Sequence, residues 1–266
     1  MDDTAFRGLL EFLGLSWRGY RKVRRGLKKR VARDMAECGC RTVEQYIRLL
    51  ERNKALKDHC EMLMGVSISR FFRDRALWET LEKDILPELS HRHPDRLSVW
   101  CAGCACGEEV YSLKILWEEI KSRLDPIPLL RILATDMNPA FLARARIGLY
   151  PRSSLKEVSD FIRQRYFLEQ GDQTFAVKPF IKDGICWEQG NLLFSVPQES
   201  FHLIFMRNNL LTYYAEGPKV SAFQKVLGCL EPGGYLVIGS HEKIPPGTKG
   251  LRRVEAHPSI LLKEAN

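Results

Sequence analysis

A turn bracketed by glycines constrains the fold of this 266-residue chain more than any other feature. An apolar run over residues 97–102 leads into the turn Gly103-Cys104-Ala105-Cys106-Gly107, and apolar residues then recur at helical spacing over 108–124. Strand, glycine turn and helix in this order are typical of the first crossover of a doubly wound sheet. Glycine lets the backbone approach a nucleotide-like ligand, and the helix N-terminus offers free N–H groups. The sequence therefore predicts an α/β fold with a ligand at this turn.

Carboxylates around the turn indicate which ligand it suits. The turn lacks the third glycine of the dinucleotide fingerprint, and Glu108 and Glu109 begin the helix. Two carboxylates there would repel a pyrophosphate but suit a cofactor with an ammonium group and hydroxyls, such as S-adenosylmethionine, although one of them can be explained by the helix dipole alone. Asp136 ends a second apolar run, where an acidic residue accepts hydrogen bonds from ribose hydroxyls. The alternative for Asp136 is a helix cap, but Asn138 already supplies one.

Cysteine usage favours a reducing compartment, because all eight cysteines can remain thiols there. The spacing of Cys101, Cys104 and Cys106 suggests a metal site. Their place in a predicted strand and turn argues against that reading, as does the lack of a second Cys/His pair at zinc-finger spacing. We interpret them as small apolar or turn residues and predict no metal.

Charge is distributed unevenly along the chain. Residues 1–75 contain 18 Lys and Arg against 10 Asp and Glu, whereas residues 76–266 contain 23 of each. The N-terminal quarter therefore carries all of the net charge of +8, which predicts an acidic partner for this region. No apolar run approaches the roughly 20 residues needed to span a bilayer, and the acidic start is unlike a signal peptide. We expect a cytoplasmic protein that does not insert into a membrane.

Periodicity divides the chain into three parts. Residues 1–66 are predicted as a helical bundle, with one apolar stripe from Tyr20 to Met35 among basic residues and a capping box at Thr42–Gln45. Residues 67–92 are predicted as a linking segment and a helix that ends near Pro87. Residues 93–266 are predicted as the doubly wound domain, interrupted at about 166–188 by short antiparallel strands, the last of them in Ile185-Cys186-Trp187-Glu188.

A set of motifs occurs in one order along essentially the whole chain. The motifs are Ser69-Arg70-Phe71-Phe72-Arg73, Cys101 to Ser112, Ala134-Thr135-Asp136, Gly148-Leu149-Tyr150-Pro151, Arg165-Tyr166-Phe167, Asn191-Leu192-Leu193, Ile204-Phe205-Met206-Arg207-Asn208 and Leu230 to Leu236. This set resembles the chemotaxis receptor methyltransferases of CheR type, and the resemblance implies a Rossmann-like methyltransferase sheet behind an all-α N-terminal bundle.

This resemblance implies transfer of a methyl group from S-adenosylmethionine to glutamate side chains of chemoreceptors, leaving S-adenosylhomocysteine. It assigns docking on the receptor's acidic methylation region to the basic helix, and peptide binding, in some members, to the antiparallel insertion. The implied cofactor contacts are Ser67, Ser69, Arg73, Gly103, Glu108, Asp136, Asn191, Leu192, Arg207 and Asn208. The implied docking residues are Arg21, Arg24, Arg25, Lys28 and Lys29.

Two residues are predicted to act at the methyl centre. Arg73 is expected to orient the acceptor carboxylate, and the alternative is an ion pair with Asp74 or another surface acid. Thr212 stands where the family has a tyrosine near the methyl centre, and Tyr213 and Tyr214 follow it out of register. Ser67 replaces the family's asparagine and loses the reach of an amide.

Two other functions stay open, the first because of the departures at Ser67 and Thr212 and the second because of the basic helix. One is a non-catalytic S-adenosylmethionine sensor or scaffold. The other is a nucleic-acid methyltransferase, which we consider less well supported because the basic helix is distant from the turn and no aromatic-plus-proline acceptor motif is present. We expect a monomer that binds no nucleic acid.

Overall fold

The structure is a computed structural model that describes residues 1–125, 127–171 and 173–264. Its strands are β1 Arg96–Ala102, β2 Leu129–Asp136, β3 Leu149–Pro151, β4 Phe167–Glu169, β5 Thr174–Val177, β6 Ile185–Gln189, β7 Phe201–Met206, β8 Leu230–Ile238, β9 Leu251–Val254 and β10 His257–Lys263. Its helices are α1 Asp3–Phe12, α2 Trp17–Tyr20, α3 Arg24–Glu37, α4 Val43–Arg52, α5 Lys54–Leu63, α6 Arg75–Thr80, α7 Leu86–Arg92, α8 Glu108–Ile120, α9 Pro139–Ile147, α10 Asp160–Tyr166, α11 Pro179–Lys182, α12 Leu210–Tyr213 and α13 Glu216–Gly228.

A seven-stranded sheet in the order β6-β2-β1-β7-β8-β10-β9 confirms the predicted α/β fold. The first five strands run parallel, and β10 and β9 add antiparallel pairs at one edge. Six consecutive residues of β1 are buried, because helices cover both faces of a parallel sheet. The residues on one face of β1, including Val99 and Cys101, pack with α6, α7 and α8, and those on the other, including Trp100 and Ala102, pack with α13.

Register in the centre of the sheet positions the site. Ala102 pairs with Thr135 at the carboxyl ends of β1 and β2, so the glycine turn after β1 lies beside Asp136. Asn138 caps α9 and Pro139 occupies its first turn, as the sequence predicts. The loops that follow β1 and β2 therefore meet at one edge of the sheet.

The N-terminal residues form a bundle of five helices around an apolar cluster that includes Phe6, Tyr20 and Val31. The capping box at Thr42 and Gln45 is present. The stripe from Tyr20 to Met35 is divided, because the chain turns after α2 and α3 begins only at Arg24.

The predicted helix end near Pro87 is wrong. The helix continues to Arg92 through a π-helical turn over Leu81–Ile85, in which the Leu86 N–H donates to the Leu81 carbonyl five residues back. Proline has no N–H to donate, and the wider turn places Pro87 at the start of a new α-helical register, where that donor is not needed.

The antiparallel strands form a separate three-stranded sheet in the order β3-β5-β4. The prediction that residues 185–188 belong to it is wrong, because β6 pairs in parallel with β2, from Ile132 opposite Ile185 to Asp136 opposite Gln189. An edge position explains the error: β6 is largely exposed, so its residues lack the continuous apolar run of a central parallel strand. Among the described residues, no helix is long and apolar enough to cross a membrane.

Candidate cofactor-binding site

A cleft opens at the carboxyl ends of β1, β2 and β7, between the sheet and the helical bundle. Nine of the predicted site residues line it; they are Ser67, Ser69, Arg73, Gly103, Asp136, Asn191, Leu192, Arg207 and Asn208. Bundle residues, among them Leu15, Tyr20 and Met62, line the opposite wall. Its position at a topological switch of an α/β sheet is where such folds bind ligands.

The glycine turn is held closely against the end of β2. The N–H groups of Gly103 and Cys104 donate to the Thr135 carbonyl at 2.8 and 2.9 Å. Gly103 has a φ of +76°, which glycine adopts without the strain of a side chain. The turn is therefore fixed at the carboxyl end of β2, and Gly103, Cys104 and Ala105 line the cleft.

Asp136 joins the turn to the next helix. One carboxylate oxygen accepts from the Ala105 N–H and the other from the Asn138 N–H, both at 2.9 Å. Burial raises the pKa of Asp136, and these two N–H donors oppose the rise. Each oxygen keeps a lone pair that can accept from a ligand hydroxyl.

Glu108, although predicted as a cofactor contact, lies outside the described lining of the cleft. Its side chain is buried, and within the described ranges its Oε2 has no hydrogen-bond partner. Burial raises the pKa of this carboxyl, and its own backbone N–H and Arg144 oppose the rise. The neighbouring Glu109 lines the cleft instead.

Arg207 links three segments at the base of the cleft. Its Nη1 lies 2.9 Å from Glu109 Oε2 and 3.5 Å from the Arg73 carbonyl oxygen, and its Nη2 lies 3.6 Å from Asp74 Oδ2. Burial raises the pKa of Glu109, and the positive charge of Arg207 opposes that rise. In the described part of the chain, Arg207 Nε has no partner although it is buried, so it can donate to a ligand.

The predicted position of Thr212 at the methyl centre is not supported. Its hydroxyl donates to Glu242 Oε1 at 2.6 Å, and it is not among the described residues that line the cleft, whereas Tyr213 and Tyr214 are. Glu242 Oε2 also accepts from the N–H groups of Asn208 and Gly239, at 2.9 and 2.7 Å. Thr212 thus helps to hold Glu242 in place beside the cleft and does not line the cleft itself.

Sequence reasoning considered Asp74 only as an ion-pair partner of Arg73, and Glu109 only together with Glu108 at the start of the helix. It predicted no contact of either residue with Arg207, and it assigned no role to Glu242. Glu242 carried no comparable signal, because two of its three partners, Asn208 and Thr212, lie 34 and 30 residues away along the chain.

Backbone strain is concentrated around this cleft. Phe72, Asp74, Ala105 and Asn208 all have positive φ values, between 47° and 73°. Such conformations cost about 1–3 kcal/mol each and persist where the surroundings enforce them.

The predicted docking residues divide into two groups. Arg24 and Lys28 pair with Asp3 of α1, with Arg24 Nε 3.0 Å from Asp3 Oδ1. Arg21, Arg25 and Lys29 are exposed. Two of the five positive charges are thus partly neutralised inside the bundle.

The residues of the cleft fit S-adenosylmethionine. Asp136 offers acceptors for ribose hydroxyls, and the unpartnered Arg207 Nε offers a donor to a carboxylate. Apolar side chains of Met62, Phe141 and Leu192 offer a wall for a flat purine.

A doubly wound sheet with a glycine turn and an acidic residue at its first crossover defines a nucleotide-cofactor-binding α/β protein. The chain belongs to the CheR methyltransferase family: residues 67–260 match the family described as "CheR methyltransferase, SAM binding domain". This membership confirms the predicted resemblance and makes S-adenosylmethionine the cofactor.

Curated relatives extend the similarity over most of the chain. A chemotaxis protein methyltransferase of Listeria innocua is 34% identical over 87% of this chain and 86% of the relative. One of Listeria monocytogenes is 35% identical with the same coverage. Chemotaxis protein methyltransferase 1 of Pseudomonas aeruginosa is 28% identical over 89% of this chain and 88% of the relative.

Proposed function

We propose that this protein transfers the methyl group of S-adenosylmethionine to glutamate side chains in the cytoplasmic methylation region of chemoreceptors. The observation that carries the proposal is the cleft of a CheR family member with an exposed arginine, Arg73, in its wall. The relatives named as chemotaxis protein methyltransferases support the same reaction class.

The reaction requires no general base from the protein. S-adenosylmethionine supplies a methyl group on a positively charged sulfonium. A glutamate carboxylate is ionised at neutral pH, so its oxygen can form the O–C bond as the C–S bond breaks, with no proton to remove. Catalysis then depends on aligning the two groups and on excluding water from them.

Arg73 is the candidate for holding the acceptor carboxylate. In the described structure, its one hydrogen bond runs from Nη1 to the Ile68 carbonyl at 3.4 Å, which leaves most of its five N–H donors for an acceptor. Asp74, the alternative partner considered from the sequence, instead lies near Arg207 and His257. A guanidinium can bind a carboxylate through two parallel hydrogen bonds and so fix its orientation.

The bundle supplies a surface for an acidic receptor helix. Arg25, Lys29 and Arg33 are exposed on α3 at four-residue spacing. Like charges at this spacing destabilise a helix by about 0.2–0.5 kcal/mol per pair. A negatively charged partner would remove that repulsion.

Incubation of the protein with labelled S-adenosylmethionine and a chemoreceptor cytoplasmic fragment tests the function. We expect base-labile methyl label on glutamate residues. We expect Arg73→Ala to lower the rate by at least about tenfold, because one carboxylate clamp is lost. Arg75→Ala is the matched control, since Arg75 is exposed and pairs only with Glu79 among the described residues.

A wild-type protein that binds S-adenosylhomocysteine but labels no receptor fragment, while a reference enzyme labels the same fragments, would contradict the proposed transfer. That result would favour the sensor or scaffold function.

A further inference from the structure

The segment that carries Arg73 is strained but closely held. Phe72 and Asp74, on either side of Arg73, have φ values of 51° and 73°. Phenylalanine rarely adopts this conformation, so other contacts must enforce it at Phe72, whereas aspartate adopts it more readily. Arg73 itself is exposed.

Contacts from α8 and from the following helix α6 fix the backbone of this segment. The Phe72 N–H donates to Ser112 Oγ at 2.9 Å, and Trp78 Nε1 donates to the Arg73 carbonyl at 3.0 Å. The hydroxyl of Ser112 in turn donates to the Glu108 carbonyl at 2.7 Å. The segment is thereby attached to the first turn of α8, next to the glycine turn.

Arg207 adds a charged connection to the same segment. Its Nη1 approaches both the Arg73 carbonyl and Glu109 of α8, and its Nη2 approaches Asp74. The Arg207 side chain is 5% exposed, and those of Glu109 and Asp74 are 18% and 24% exposed, so water screens these pairs poorly. His257 Nε2 lies 3.8 Å from the other oxygen of Asp74.

The 3.6 Å separation from Arg207 is too long for a hydrogen bond, and Asp74 Oδ2 has no other partner in the described residues. Contacts at catalytic sites are often long without substrate and shorten when it binds. Asp74 is therefore held by charge attraction and has room to move closer.

We propose that Asp74 and Glu109 are positioning residues, which act through Arg207 to fix the Arg73 backbone so that its side chain meets the acceptor carboxylate. Glu109 anchors the guanidinium to α8, and Asp74 attaches the strained segment to the guanidinium. This inference rests on the proposed methyl transfer to glutamate. Glu109 and Asp74 contact the two Nη atoms of Arg207 and leave its Nε to the cofactor, so both acids should affect turnover through Arg73 more than cofactor affinity.

A double-mutant cycle between Asp74 and Arg73 tests this route. We expect Asp74→Asn to lower kcat for receptor methylation about tenfold and to leave the calorimetric affinity for S-adenosylhomocysteine within about twofold. We expect the Asp74→Asn, Arg73→Ala double variant to have the same kcat as Arg73→Ala alone, because the Arg73 side chain that Asp74 positions is already absent. Losses that multiply in the double variant, or cofactor affinity that falls in step with kcat, would overturn the inference.

Hydrogen exchange supplies a readout that needs no turnover. We expect Asp74→Asn and Glu109→Gln to increase deuterium uptake in a peptide covering residues 70–76. Glu109→Gln keeps the buried volume and one acceptor oxygen, which guards against loss of the fold, and circular dichroism checks folding. Asp84→Asn, an exposed carboxylate in the following helix, is the control.

Unchanged exchange and unchanged kcat in both folded variants would reject the positioning role. A wild type that labels no receptor would reject the proposed function alone, since hydrogen exchange still reports whether the two acids hold the segment.

Discussion

Glu242 illustrates, at the scale of single residues, how one carboxylate can organise a ligand-binding loop. It is 7% exposed, yet it accepts three hydrogen bonds, from two backbone N–H groups and the Thr212 hydroxyl. These donors lie on both sides of β8, so the carboxylate ties the loop after β7 to the loop after β8. Asn208, in a strained conformation, is one of the residues held in this way.

Removal of this carboxylate should cost more than removal of one of its donors. We expect Glu242→Ala to lower the free energy of unfolding by about 3 kcal/mol, because several buried donors lose their acceptor. Thr212→Val loses one hydrogen bond and should cost about 1 kcal/mol. Urea unfolding followed by circular dichroism measures both, and similar losses in the two variants would show that Glu242 does not organise the loop.

A stacked histidine pair should make stability depend on pH. The rings of His93 and His202 lie 3.8 Å apart, and burial, with His93 as a second cause, lowers the pKa of His202 to about 4. Between about pH 6.5 and 4 the unfolded chain binds a proton at His202 that the folded chain does not. The free energy of unfolding should therefore fall by up to about 3 kcal/mol as the pH drops through this window.

His202→Asn isolates this contribution, because an asparagine oxygen can still accept from the Ser98 N–H that now donates to His202 Nδ1. We expect the variant to lose less stability than wild type between pH 6.5 and 4. His241→Asn, at an exposed position, is the control. Parallel pH profiles for wild type and His202→Asn would contradict the assignment.

At the scale of secondary-structure elements, α2 of the bundle packs closely against α12. Gly19 packs so closely on the Thr212 carbonyl group that a Cβ would lie 2.9 Å from the carbonyl carbon and closer to its oxygen. The Ser16 N–H donates to the Tyr213 carbonyl at 2.8 Å, and Leu15 forms a β-bridge with Tyr214. The bundle is thereby attached to α12, the helix that follows β7 and Arg207.

Gly19→Ala should therefore destabilise the protein by about 1–3 kcal/mol, because the backbone of one element must move. Gly26→Ala is the matched control: Gly26 lies inside α3 with nothing within 4 Å of the added Cβ, and alanine there should stabilise the protein by about 0.5–1 kcal/mol. Urea midpoints measure both. Equal shifts of the same sign would show that the α2–α12 contact is not tight.

Sequence patterns predicted elements well where the signal was local. The capping box at Thr42 and the proline at the start of α9 depend on neighbours within four residues, and both were predicted. Pro87 and β6 were misread, because a proline can be accommodated by a wider turn and an edge strand needs no apolar run. Their outcomes depend on tertiary contacts that periodicity does not record.

At the scale of the whole molecule, the cleft lies between a part that carries net positive charge and a part that carries none. All of the net positive charge is in residues 1–75, and the remainder of the chain is neutral. Ordered motifs could predict most residues of the cleft, whereas the bundle wall and the contacts of Glu242 arise only when distant segments pack. Thr212 was assigned from motif register alone; its hydroxyl binds Glu242, and the residue is not among the described residues that line the cleft.

This separation of charge predicts how receptor binding should respond to mutation and salt. We expect the combined substitutions Arg25→Glu, Lys29→Glu and Arg33→Glu to raise KM for an acidic receptor fragment at least about tenfold and to leave kcat and S-adenosylhomocysteine affinity nearly unchanged. Reversal of three exposed lysines elsewhere, Lys83, Lys243 and Lys249, is the control.

Steady-state kinetics at increasing sodium chloride would show the same dependence, because salt screens exposed charges. An equal rise in KM in the two triple variants would indicate general charge attraction rather than docking on α3.

The β-bridge between Leu15 and Tyr214 also bears on how such enzymes can be recombined. In a chimera that carries the bundle of a relative, made to test the proposed receptor docking, the relative's version of the Gly14–Gly19 segment would contact residues 212–215 of this protein. We expect the exchange to give a stable protein only when both sides of this contact are exchanged together, because the Leu15–Tyr214 bridge joins the bundle to the segment after α12. In chimeras joined at residue 66 alone, the bundle residues and the 212–215 residues that line the cofactor cleft would come from different proteins and would not be matched to each other.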